Sequence, residues 1–253
     1  MRKPTGYIIY RGPSMLDGSP IVVVAITKKS RNKKTGNMVQ TYIMVDGVNP
    51  IDAARDGRDA AVCGDCKLRP SQKGGCYVTL MHGPRVVQDG VERGIYPKAS
   101  LVSGVTVRSL GAARMVRLGT YGDPAAVPVE VWEHLVSQAE GRTGYSHQWR
   151  NEKLSIDHRA RLAKLVMASV DNPEEAAAAR EAGLRYFRVR SAGEAVAKGE
   201  IICPASEEAG KRKTCETCSA CSGSARGSKQ ASVVIIVHGQ RAGRFTQSTL
   251  EMR

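Results

Sequence analysis

KLVMASVDNPEEAAAAREAGLRYFRVR, residues Lys164 to Arg190, is the stretch on which the fold turns. Its apolar start, Lys164 to Val170, reads as a strand. Asn172-Pro173-Glu174-Glu175 then supplies a helix N-cap, a proline at the first helical position and an acidic side chain at the third. Gly183 closes the alanine-rich helix that follows, and Tyr186 to Arg190 forms a second strand. Strand, helix and strand in so short a span predict a parallel crossover, because parallel neighbours need a connection that returns the chain to the same end of the sheet.

The same rhythm extends in both directions. Met115 to Thr120 reads as a strand ending in Tyr121-Gly122-Asp123-Pro124, after which Trp132, Leu135, Val136 and Ala139 recur at helical spacing before Gly141. Gly144 to Trp149 is the next strand expected, followed by a basic helix-like segment. Upstream, Tyr7 to Tyr10, Ile21 to Thr27 and Met38 to Val45 read as strands of a β-hairpin region. Downstream, Glu200 to Cys203 and Ser232 to Val237 add two more. The expectation is one α/β domain over residues 1–253, either a partial (β/α) barrel or an open parallel sheet. Its parts are N-terminal strands (1–62), a first Cys-rich loop (63–82), β/α units (115–202), a second Cys-rich loop (203–221), and a last strand with a basic tail (232–253).

Seven cysteines fall into two groups. No apolar run approaches the ~20 residues of a membrane span, and the N-terminus has no secretory pattern. The expected location is therefore cytoplasmic, where thiols stay reduced and metal ligation is the leading explanation of clustered cysteines. Cys203, Cys215, Cys218 and Cys221 follow a C-x11-C-x2-C-x2-C spacing, and Cys203 precedes Pro204. Three thiols at x2 spacing wrap the corners of a cubane, which favours a 4Fe–4S cluster, with a tetrahedral zinc site as the alternative. The earlier group, Cys63, Cys66 and Cys76, leaves one coordination position unassigned. With His82 as the fourth ligand it is a closed zinc site; with the position open it is an iron–sulfur cluster able to bind a substrate or cofactor. The C-x3-C-x2-C spacing usual for radical S-adenosylmethionine enzymes is absent.

A net charge of +14 gives the chain a field that attracts polyanions, so nucleic acid, DNA or RNA, is the expected partner. Aromatic residues, at 5%, are too few for a broad base-stacking platform. Lys28, Lys29, Arg31, Lys33 and Lys34 lie in a loop ending Thr35-Gly36-Asn37, read as a phosphate-contacting finger or a solvated turn. Ligands of parallel sheets sit at the carboxyl ends of the strands. That rule gathers Tyr121, Ser169 and the acid–base candidates Asp123, His147, Asp171 and His238. It adds the anion-binding candidates Arg188 and Arg190, and the Gly/Arg loop contributes Arg241 and Arg244.

Gly6-Tyr7-Ile8-Ile9-Tyr10, Thr35-Gly36-Asn37-Met38, Cys63-Gly64-Asp65-Cys66, Gly75-Cys76-Tyr77, Arg117-Leu118-Gly119-Thr120-Tyr121-Gly122-Asp123 and Cys203-Pro204 with Cys215, Cys218 and Cys221 together resemble a family of bacteriophage and plasmid proteins, over nearly the whole chain. More distantly the chain is similar to phage proteins with radical-SAM-like barrels, in which a Cys-rich entry precedes a β/α series and a Cys-Pro plus three-cysteine group closes it. The resemblance implies a phage setting, hence the cytoplasm of an infected bacterial host, and a β/α fold. It implies no particular reaction. Two functions follow as expectations: an enzyme acting on nucleic acid with a reactive centre at Cys63, Cys66 and Cys76, or a zinc-stabilised module that grips nucleic acid during replication or host takeover.

Overall fold

The computed structural model describes residues 3–101, 104–224, 230–239 and 242–245. Three strands open the chain, β1 (Gly6–Pro13), β2 (Pro20–Ile26) and β3 (Val39–Val45). They pair antiparallel in sequence order. Between its ends β2 is a run of valines and other apolar residues at 0% exposure from Ile21 to Ala25, as a strand covered on both faces requires.

The chain then becomes helical: α1 (Pro50–Asp56), α2 (Ala60–Cys63), α3 (Gly83–Glu92) and α4 (Val107–Gly111). Asn49 caps α1 by accepting from Ile51 N, with Pro50 at the first position. Strand β4 (Met115–Tyr121) is followed by α5 (Val129–Val136), and β5 (Gly141–Ser146) by α6 (Ile156–Ala163). Next come β6 (Met167–Val170), α7 (Pro173–Glu181), β7 (Tyr186–Arg190), β8 (Glu200–Ile202) and β9 (Ser232–Ile236). The cap expected for α7 is present: Asn172 Oδ1 accepts from Glu175 N at 2.7 Å, and Glu175 Oε2 accepts from Asp171 N at 3.0 Å.

All nine strands form one sheet in the order β1-β2-β3-β4-β5-β6-β7-β9-β8, parallel from β3 onward. It is open rather than closed into a barrel, with β1 and β8 at its edges. Side chains alternate across it. Val116 and Leu118 join the main core with Trp132 and Leu135 of α5. Ala168, Val170 and Tyr186 pack with Ala176 and Ala179 of α7. On the opposite side, Met167 and Val233 pack with Cys221, Tyr145 and Phe187. The sheet thus has a helix face and a thiol face.

Three expected strands shift their bounds most, the first being β1, which runs on past Tyr10 to Pro13. The strand expected at Gly144–Trp149 starts earlier and stops at Ser146, because Ser146 Oγ accepts from Gln148 N at 3.0 Å and turns His147–Arg150 into a 3₁₀ turn. Lys164 to Val166 is not strand, since Lys164 caps α6 and Val166 N still bonds Leu162 O.

Candidate functional site

At the carboxyl ends of β4, β5 and β6 the expected gathering of Asp123, His147 and Asp171 is present. Asp123, 7% exposed, ties two strand ends together. Its Oδ1 accepts from Ser146 Oγ at 2.7 Å and Ala125 N at 2.9 Å, and its Oδ2 accepts from His147 N at 2.8 Å. Burial raises its pKa, against the hydrogen bonds from Ala125, Ser146 and His147 that lower it. With three donors on one buried carboxylate, Asp123 is a positioning residue for His147 rather than an acid–base group facing a substrate.

The His147 ring is held between two elements. Its Nε2 lies 3.4 Å from Asp171 Oδ1, and the Cys66 side chain stands beside the ring. Burial works against charge on this ring, yet the Cys66 and Asp171 charges beside it outweigh burial and lift its pKa well above the usual imidazole range. A cleft of about 50 Å³ opens there, lined by Asp65, Cys66, Lys67, His147, Ser169 and Asp171 among others.

The loop carrying the first thiols is fixed from below. Asp59 accepts from Arg69 Nη1 and Ser71 Oγ, each at 2.9 Å. Gln148, 1% exposed, donates to Cys63 O at 3.1 Å and Asp65 Oδ1 at 2.7 Å. Gly64 sits at φ +61° against that same amide, where a Cβ would come within 2.4 Å of it. Burial pushes the Cys63 thiol well above its ordinary pKa, and the neighbouring Cys66, Cys76, Asp59 and Asp123 add to the effect. Three thiols thus lie within one another's field, beside an imidazole. His82 is exposed at the start of α3, and the imidazole that the fold sets beside Cys66 is His147.

The second group lies on the thiol face. Cys203 leaves the end of β8 with its N–H on Val234 O at 2.8 Å, and Cys221 is 8% exposed among Met167, Val233 and Tyr145. Burial, with the other three thiols nearby, pushes Cys221 up to about 12, against a hydrogen bond with Tyr145 that lowers it. Arg185, 3% exposed, pins the end of this loop by donating to the carbonyls of Ala220, Gly223 and Ala231. Between the two groups runs Arg117, whose Nη2 donates to Tyr77 Oη at 3.0 Å. Burial opposes its charge, but the fields of Tyr77, Tyr145 and Cys215 keep it firmly protonated. Tyr77 directly follows Cys76 and stacks on His238, ring centroids 6.4 Å apart, so His238 also stands over the strand ends, on an exposed loop.

Among the described residues, no three His, Cys, Asp or Glu side chains are drawn tightly enough together to hold a metal ion as they stand. The donor chemistry of both groups nonetheless suits one. Four thiols share the second site, and the first offers Cys63, Cys66, Cys76 and His147, the last backed by Asp171 in the order a metal-ligating histidine keeps with its outer carboxylate.

The expected anion binders divide. Arg188 and Arg190 are structural. Arg188, with its side chain 3% exposed, gives Nε and Nη2 to Glu200 at 2.7 and 2.8 Å and bonds Glu194 and the Ala195 carbonyl. Arg190 pairs with Glu208 and the Glu194 carbonyl. With carboxylates already seated on both guanidinium groups, neither is a phosphate contact. Lys28, Lys29, Arg31 and Lys33 are exposed on the β2–β3 loop, and Lys34 is partly covered beside Cys203. Arg244 is exposed, and Arg241 lies outside the described residues. Reading by sequence missed Gln148, Tyr145 and Arg185; Tyr77, adjacent to Cys76, and Arg117, at the head of the stretch ending in Asp123, carried a signal but no role. Among the described residues no helix is long and apolar enough to cross a membrane. Compared with protein-family models, curated proteins and solved structures, the chain gives no significant match.

Proposed function

We propose that this chain is a metal–thiolate protein of phage type that acts on nucleic acid, with a reactive centre at the strand ends and a structural one on the thiol face. The observation that carries the reading is the line Cys66, His147, Asp171 beside Cys63 and Cys76, at the carboxyl ends of the strands, where parallel folds place their ligands. Cys63, Cys66, Cys76 and His147 would hold zinc or an iron–sulfur cluster there. Cys203, Cys215, Cys218 and Cys221 would hold a 4Fe–4S cluster. Bound iron supplies electron transfer and bound zinc supplies Lewis acidity. The chain's own part is to orient His147 through Asp171 and Asp123, and to present the cleft.

The alternative, a zinc-stabilised binding module with both sites structural, draws on the packing of Cys221 into the apolar cluster around Met167 and Val233. Anaerobic purification followed by iron, sulfide and zinc analysis separates the two. Iron with matching labile sulfide supports the first; two zinc ions and no iron support the module. His147→Ala is expected to remove metal from the first group while His82→Ala leaves it. Folded protein with no metal at either group would defeat both readings.

A further inference from the structure

The loop between β2 and β3 and the loop bearing Cys215 and Cys218 are far apart in sequence, yet they are stitched along one seam. Glu216, flanked by the two thiol positions, accepts from Asn37 N through Oε1 at 3.1 Å and gives its own N–H to Lys34 O at 3.3 Å. Arg114 closes the seam from β4's side, donating Nε to Asn37 O at 2.8 Å. The approach is so close that a Cβ on Gly36 would stand 2.0 Å from the Glu216 carboxylate, and Gly36 is at φ +39°. Such a seam needs glycine at that position.

On either side of the seam stand cations. Lys28, Lys29, Arg31 and Lys33 are exposed on one loop, and Lys211, Arg212 and Lys213 are exposed on the other. Lys213 is three residues from Glu216, so their Cα atoms are within about 11 Å. Lys213 N is itself anchored on Pro204 O at 3.1 Å. The carboxylates of this loop are already engaged: Glu207 pairs with Lys211 at 2.7 Å, Glu208 with Arg190, and Glu216 is occupied by the seam.

We propose that these two loops form one bipartite surface for the phosphate backbone of a nucleic acid, and that Glu216 is the latch that holds its halves in register. The inference rests on the nucleic-acid reading above and adds to it the second half, Lys211 to Lys213, and the latch. A surface of this kind reads charge spacing and not base sequence, and its affinity falls steeply with salt.

The latch gives a test in which two explanations differ in sign. If only summed charge mattered, Glu216→Ala would remove a negative group and tighten binding. If Glu216 orders the surface, the same change weakens binding about fivefold, the scale of losing an ordering hydrogen bond. The purified full chain is titrated against a fluorescein-labelled 20-base-pair duplex of mixed sequence and against a single-stranded RNA of equal length, at several salt concentrations. Glu216→Gln, which removes the same charge but retains an acceptor for Asn37 N, is expected to bind at least as tightly as the unaltered protein, so it isolates the latch from the charge. Replacing Lys211, Arg212 and Lys213 together by Gln is expected to flatten the log–log salt slope by about 2 to 3 on the duplex, at about 0.9 per contact, and by about 2 on the single strand, at about 0.7. The nucleic acid whose loss, divided by 0.9 for the duplex or 0.7 for the single strand, gives the larger number of contacts is the one this surface fits. Tighter binding by Glu216→Ala, or an unchanged slope in the triple variant, overturns this inference alone. Failure of the unaltered protein to retain either nucleic acid overturns the phosphate reading and this inference with it.

Discussion

Asp123→Asn places a carboxamide where a carboxylate holds two strand ends together. In the native site one oxygen takes Ser146 Oγ and Ala125 N, and the other takes His147 N. A carboxamide has one oxygen. If it serves Ser146 and Ala125, its NH2 meets the His147 N–H, donor against donor, in a position 7% exposed. An orphaned buried donor costs about 1–3 kcal/mol, and hydrogen bonds to charged acceptors are worth about 1.5–3 kcal/mol. Against this, burial raises the Asp123 pKa, so removing the charge recovers part of a desolvation cost. The net loss expected is about 2 kcal/mol, a large share of the ~5–15 kcal/mol that stabilises an ordinary domain. At an m-value of about 2 kcal/mol/M the urea midpoint falls by about 1 M. Asp123→Ala orphans three donors at once and is expected to lose more, about 4 kcal/mol. Urea unfolding followed by far-UV circular dichroism measures both. If Asp123→Asn unfolds within about 0.2 M of the unaltered midpoint, the carboxylate is not the clamp described.

Glu200, with its side chain fully buried, accepts from Tyr186 Oη, from Ala197 N and twice from Arg188. Glu200→Ala therefore takes the carboxylate from Nε and Nη2 of a buried guanidinium, leaving it Glu194 and the Ala195 carbonyl, and is expected to cost about 3 kcal/mol; a loss under about 1 kcal/mol in the same unfolding assay would refute the pairing. Burial alone would raise the Glu200 pKa, but the Arg188, Ala197 and Tyr186 hydrogen bonds carry it below the model-compound value of 4.5. Its contribution is thus present in full above pH 4.5 and is lost as pH falls through the lower folded value, so Glu200→Ala should flatten the acid limb of a stability–pH curve. An acid limb identical in variant and parent would show that other carboxylates govern it. Gly64→Ala asks an L-residue to adopt φ +61° with its Cβ in the Gln148 amide, and is expected to lose about 1–3 kcal/mol; neutral behaviour would mean that the first thiol loop is not seated on Gln148.

How much of this was readable in the chain depends on how local each signal is. The helix α7 was legible because Asn172, Pro173 and Glu175 cap it within four residues, and β7 matched from Tyr186 to Arg190. The end of β5 was not, because the turn at Ser146 is secured by Asp123, which arrives from the end of β4. Choosing between an open sheet and a barrel needed strand pairing, which periodicity does not contain. At the site, nearness in sequence pointed to His82 for the first thiols, whereas folding delivers His147 from another strand. Arg188 and Arg190 show their charge in the sequence but not the glutamates that neutralise it. The helices α1 and α2, which occupy part of the stretch 1–62 expected to be strands, and α3 and α4 went unread between two stronger patterns.

Strand β9 lies between β7 and β8 although it follows both in the chain. During synthesis on the ribosome, β7 and β8 therefore wait without their shared neighbour until residues 232–236 emerge. Two unpaired strand edges and the intervening cysteine loop stay open over that interval, and open edges are where nascent chains stick to one another. The late strand is thus the keystone of this half of the sheet, and slowing its arrival should raise the demand on chaperones.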